Sequence, residues 1–229
     1  MRYMLEYYRI QSVDDPYFAK MHKLMGEVFP AEEVLAFDLW REPLQDPTIQ
    51  VYVALLDGEV VGATEYRYRP EFRVAMIDFT IIGRPGLGIG RFLLTEREKD
   101  LARLQRESGT ESLGTFAEIY NPQELEGANL SFGGIQPMHP VVRREVLSHI
   151  GFRKLDVDYV HPSWDHEGKA VRGLDLGFRP ADDSVSSIPS SLVVGFLRWY
   201  YSALPNKPQE WTDMIATLEQ RQDIALLPL

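Results

Sequence analysis

Residues 77–94 read IDFTIIGRPGLGIGRFLL: an apolar, β-branched run, then glycines at the alternate positions Gly86, Gly88 and Gly90, then a leucine-bearing segment with helical character. A strand, a bare backbone and a helix start in that order suit phosphate binding. N–H groups unshielded by side chains converge on an anion at the positive end of the helix dipole. Spacing separates the designs that work this way. A P-loop needs GxxxxGK followed by Ser or Thr, and no such pair occurs in the segment. The dinucleotide fingerprint GxGxxG would place its third glycine at position 91, which is Arg91. What remains is GxGxG opening a helix, either a cradle for a pyrophosphate such as that of coenzyme A or a plain turn whose glycines allow close packing.

The flanking sequence supplies the rest of an α/β domain. Residues 3–11 read as a strand, and Asp14, Asp15 and Pro16 as the start of a helix whose Phe18, Met21, Met25 and Val28 share one face. A second short helix is expected over 31–40. Asp57-Gly58 between the strand-like runs 49–56 and 60–69 signals a hairpin. A strand over 74–82 leads into the glycine turn, a helix over 88–106 and a strand over 112–120. The segment 121–140 has little periodicity and several breakers, a length more often functional than idle. A helix over 141–150 stops at Gly151, and strands over 153–161 and 170–179 follow. Beyond Pro180, Leu192, Val193, Phe196, Trp199, Tyr200 and Ala203 line one face of a helix. The expectation is a domain over 1–180 with a mixed, mostly antiparallel sheet of about seven strands flanked by helices, and a helical extension over 181–229 packed on it.

Composition excludes several classes. There is no cysteine, so disulfides, a thiolate nucleophile and cysteine-ligated metals are out. The five histidines lack metal-binding spacing, and no metal is expected. With 34 acidic against 24 basic residues, the charge of −10 argues against nucleic acid as partner; it either draws in a cationic small molecule such as an amine or serves only solubility. No apolar run reaches the length of a membrane span and the N-terminus lacks a signal-peptide core, so a cytoplasmic protein is expected, a monomer or homodimer with no membrane partner.

The stretch GLGIGRFLL, with a strand before it and a helix after, resembles the acyl-CoA-binding motif of the GNAT superfamily of N-acetyltransferases, usually written Arg/Gln-x-x-Gly-x-Gly/Ala. The order of elements over residues 1–180 and the phrase VLSHIGFRKLDVDYV, similar to the helix, Gly-Phe and strand that close that fold, extend the likeness. The resemblance implies acetyl-CoA as cosubstrate and an amine acceptor, a small molecule or a protein. The coenzyme would lie against Arg84, Gly86, Leu87, Gly88, Ile89, Gly90 and Arg91, and backbone N–H groups among Phe79, Thr80 and Ile81 would bind the thioester carbonyl. Two positions differ. The motif's Arg/Gln position falls on Pro85, beside Arg84, and Leu147 stands where many such enzymes carry a tyrosine acid four residues before Gly-Phe.

Acetyl transfer to an amine needs a base, because an alkylamine of pKa about 10.4 is almost wholly protonated at neutral pH. Glu118, in the apolar strand SLGTFAEIY, is the first candidate and Asp78 the second. Tyr120 and Asn121 at the end of the same strand are candidates for the acid or for pantetheine contacts, and His139 for a substrate contact. A module of the same fold that binds an acyl-CoA without turnover is the alternative, and Leu147 keeps it open.

Overall fold

The computed structural model describes residues 4–124 and 138–229. Contacts divide the chain into two compact units, residues 4–112 and residues 113–124 with 138–229.

The first unit runs β1 (Glu6–Ile10), α1 (Phe18–Val28), β2 (Ile49–Leu56), β3 (Glu59–Arg69), β4 (Val74–Ile82) and α2 (Ile89–Ser108). Its sheet has the order β1-β2-β3-β4, every pair antiparallel. Asp57 and Gly58 join β2 to β3 with φ of 51° and 78°, the left-handed pair that a two-residue hairpin matched to strand twist requires. Alternation along β3 sends Ala63 to the α1 face, where it packs with Phe18, Met21, Phe79 and Ile81, and sends Tyr66 and Tyr68 to the α2 face beside Leu101. Both faces of this sheet are therefore core.

The helix expected over 31–40 is instead a set of 3₁₀ turns, Ala31–Glu33, Phe37–Arg41 and Pro43–Gln45. The carbonyl of Leu35, which a helix would need, accepts from Trp40 Nε1 at 3.1 Å and lies 2.9 Å from His22 Nε2.

The second unit holds β5 (Gly114–Tyr120), α3 (Pro140–His149), β6 (Arg153–Leu155), β7 (His161–Pro162), β8 (Ala170–Val171), β9 (Leu174–Pro180), β10 (Ser187–Pro189), α4 (Ser190–Tyr200), α5 (Gln209–Glu219) and β11 (Asp223–Leu227). The strand order is β5-β9-β6-β11-β10, again antiparallel, and β7 pairs with β8 apart from it. The strand expected over 153–161 stops at Leu155: the Asp156 N–H still bonds Ala225 O of β11, but the Val157 N–H turns back onto Leu155 O at 2.9 Å. That expected over 170–179 is split at Gly173, whose φ of 90° interrupts the pleat. The segment after 180 is not purely helical: β10 and β11 add two strands, and β11 joins β6. Strands thus exceed the seven expected, while the class, mixed α/β with a mostly antiparallel sheet and flanking helices, is as expected. Helix α4 buries Val193, Phe196 and Leu197, and Phe196 stacks on Phe116 of β5 at 4.5 Å. Among the described residues no helix is long and apolar enough to cross a membrane.

Candidate active site

Between β4 and α2 the glycines divide by role. Gly86 and Gly88 have φ of 84° and 70°, and a Cβ at either would meet nothing within 4 Å. Gly90 is different, since its Cβ would meet Ile82 Cδ1 at 2.9 Å. The first two shape an open, bare backbone and the third lets the helix settle on the strand. Gly88 caps α2 in the left-handed conformation, and the first intrahelical bond runs from Phe92 N–H to Gly88 O at 3.0 Å. The N–H groups of Ile89, Gly90 and Arg91 consequently have no carbonyl within the helix, and no acidic residue occupies its first turn. Arg84 and Arg91, four residues before and three after Gly88 in the chain, are exposed, while Leu87 and Ile89 face inward to pack with Ala54, Leu56 and Leu93. Open space, N–H donors and two cations fit a pyrophosphate.

Strand β4 contains a bulge. Phe79 pairs with Glu65 and Ile77 with Tyr66, so Asp78 is the extra residue. Beyond it, Gly83 N–H bonds Val61 O at 2.9 Å, which sets the parity of the ladder. Thr80 opposite Thr64 is then a non-bonded pair, and its N–H points away from β3. Phe79 and Ile81 turn their side chains into the core, with Thr80 on the opposite face. Asp78 is gripped by Arg67, which donates through Nη2 at 2.9 Å and Nε at 3.2 Å, and Arg67 also reaches Glu65 at 3.1 Å. Burial, reinforced by the charge of Asp78, pushes the Glu65 carboxyl up to about 8, against the pull of Arg67.

In the second unit, Glu118 Oε1 accepts from Tyr159 at 2.6 Å and from Tyr201 at 2.5 Å, leaving Oε2 outside both bonds. The two hydroxyls lie 2.8 Å apart. Burial first, then the Glu118 charge, hold both phenols well above their ordinary range, so they stay protonated and donate. His161 stacks on Tyr201 with ring centroids 6.1 Å apart. Tyr120 lies under Arg143, whose guanidinium is 5.9 Å from the ring. Asn121 builds a turn: Oδ1 accepts Gln123 N–H at 3.1 Å and its own N–H reaches Gly173 O at 2.8 Å. Leu147 is half-buried on α3, and His139 caps that helix through Nδ1, which accepts Val141 N–H at 3.3 Å. Most of the segment 121–140, residues 125–137, lies outside the described residues. Among the described residues, no three His, Asp or Glu side chains converge as metal ligands would.

The coenzyme candidates from Phe79 to Arg91 and Asp78 thus fall in one unit, and Glu118, Tyr120 and Asn121 in the other. Sequence reasoning missed Thr64, Arg67, Arg97, Tyr159 and Tyr201.

No family model matches the chain, and no curated protein matches it in sequence. Its fold does match solved structures. A protein assigned to the GNAT acetyltransferase family from Bacteroides thetaiotaomicron gives a TM-score of 0.57 at 16% identity, covering 86% of this chain and 97% of that one. An acetyltransferase from Thermus thermophilus gives 0.50 at 18% identity over 79% of this chain and 99% of that one. The ribosomal-protein-S18-alanine N-acetyltransferase from Escherichia coli gives 0.50 at 12% identity, with coverages of 80% and 99%. The chain has the GNAT fold.

Proposed function

We propose that the protein is an N-acetyltransferase that moves an acetyl group from acetyl-CoA to a primary amine by direct attack on the thioester. The observation that carries this reading is the turn at Gly86 to Gly90. A left-handed glycine cap leaves the Ile89, Gly90 and Arg91 N–H groups without helix carbonyls at the positive end of a 20-residue helix, next to the open backbone of Gly86 and Gly88 and with Arg84 and Arg91 exposed near it in the chain. The pyrophosphate of coenzyme A would sit there.

The Thr80 N–H is the donor for the thioester oxygen. The amine nitrogen attacks the carbonyl carbon, the C–N bond forms, and negative charge moves onto that oxygen as the tetrahedral intermediate appears. Glu118 takes the proton from the nitrogen on Oε2, while Tyr159 and Tyr201 hold Oε1. Collapse then breaks the C–S bond, and the thiolate leaves and is protonated to CoA. Tyr120 and Asn121, at and just beyond the end of β5, are the candidates for that proton and for pantetheine contacts. Asp78 is less suited as base because both its oxygens lie in the fork of Arg67.

Glu118→Gln tests the assignment. Acetyl-CoA affinity by calorimetry should be retained, and the rate of CoA release near neutral pH should fall about 10²-fold or more. A wild-type rate in a folded variant makes Glu118 structural. Acetyl-CoA binding without turnover in the wild type would favour the non-catalytic module that Leu147 leaves in play.

A further inference from the structure

Behind β4 a chain of hydrogen bonds ends on the peptide assigned above to the thioester. Arg97 of α2 is buried beneath the strand, 4% exposed, and its Nη1 donates to Thr64 Oγ1 at 3.1 Å and to Thr80 Oγ1 at 2.8 Å. Thr64, with no exposed surface, donates its hydroxyl to Phe79 O at 2.9 Å. That carbonyl belongs to the same peptide plane as the Thr80 N–H.

We propose that Thr64 and Arg97 are positioning residues for the oxyanion donor. They fix the Phe79–Thr80 peptide from its carbonyl side and polarise it, so that the Thr80 N–H is a stronger and better-oriented donor. Three observations support this. Phe79 pairs with Glu65 in the ladder, so the hydroxyl of Thr64 gives its oxygen a second donor where one would satisfy it. The peptide adjoins the Asp78 bulge, where a strand otherwise has latitude to rotate. A buried guanidinium must place its N–H donors, and Nη1 of Arg97 gives its own to the two threonines of this peptide's own pair. Aligned hydrogen bonds in a low-dielectric interior reinforce one another, and the direction runs guanidinium, hydroxyl, carbonyl, amide, thioester oxygen.

This inference rests on the reading of β4 as the thioester-binding strand, and its test separates the two. Acetyl-CoA labelled with ¹³C at the thioester carbonyl is bound to wild type, Thr64→Val and Thr64→Ser, and the carbonyl band is read by difference infrared spectroscopy alongside kcat and KM for acetyl-CoA. Wild type and Thr64→Ser should show the band displaced to lower frequency than in solution. In Thr64→Val the displacement should shrink and kcat fall about tenfold, less than deleting a donor outright, with KM unchanged. A full displacement and unchanged kcat in Thr64→Val, together with a displaced wild-type band, overturns the inference and leaves the strand assignment standing. A wild-type band at its solution position overturns both.

Discussion

Replacing Gly88 by glutamate separates fold from binding, because the two effects have different physical origins at this residue. With φ at 70° an L side chain sits in the left-handed region, at a cost of about 1–2 kcal/mol for an ordinary residue. Restriction of the unfolded chain offsets roughly 0.4–1 kcal/mol of that. Space is not the issue, since a Cβ there meets nothing within 4 Å. A carboxylate at the N-cap also favours the helix by about 0.3–1 kcal/mol. Net destabilisation is therefore about 1 kcal/mol or less. Binding responds more strongly. A charge about 6 Å from a diphosphate bearing two charges, at an effective dielectric of about 40, costs ~3 kcal/mol, about 100-fold in Kd. Gly88→Asn is the control, because asparagine tolerates the left-handed conformation and brings no charge. Titration calorimetry with acetyl-CoA, repeated at rising salt, should show a large loss for glutamate that shrinks with ionic strength, and a small one for asparagine. Equal Kd for wild type and a folded Gly88→Glu protein would refute the placement of the pyrophosphate at this turn.

Further outcomes follow from the same geometry. Tyr201→Phe removes one of the two donors that hold Glu118 Oε1, so kcat should fall while acetyl-CoA affinity holds; an unchanged kcat would make that bond merely structural. Phe196→Ala opens a cavity under α4 where the ring stacks on Phe116, and chemical denaturation should report a loss of about 3–5 kcal/mol. Less than about 1 kcal/mol would mean that α4 contributes little. Glu65 binds its proton more tightly in the folded chain, with the carboxyl at about 8 against 4.5 ordinarily. Its contribution to stability is full below pH 4.5 and is lost as pH rises through 8. Thermal melts across that window should show a decline that Glu65→Gln flattens, and an unchanged slope would contradict the assignment.

Features written in neighbouring residues were legible in the sequence. Asp57-Gly58 announces its hairpin because few other pairs adopt two positive φ values, and β4, ending at Ile82, is bounded by a turn that glycine and proline mark. The 3₁₀ turns were not legible, because Trp40 and His22 compete for the carbonyl of Leu35 only once α1 is in place. The same holds for the site. Glu118 could be picked out as a carboxylate in an apolar strand, but its tyrosines lie 41 and 83 residues away, the second in a segment that reads as an amphipathic helix. Arg97 looks like any helix arginine, and its burial follows only from the approach of α2 to Thr64, 33 residues earlier.

CoA release from acetyl-CoA over a panel of primary amines, followed with a thiol reagent and by mass analysis of the acceptor, decides whether the protein transfers acetyl groups. The chain has no cysteine, so every thiol detected is CoA. Amine-dependent CoA release, an equimolar acetylated amine, and loss of both in Glu118→Gln with acetyl-CoA binding intact are the expected results. Tight acetyl-CoA binding with no CoA released by any amine would contradict catalysis, and absence of acetyl-CoA binding would contradict the site itself.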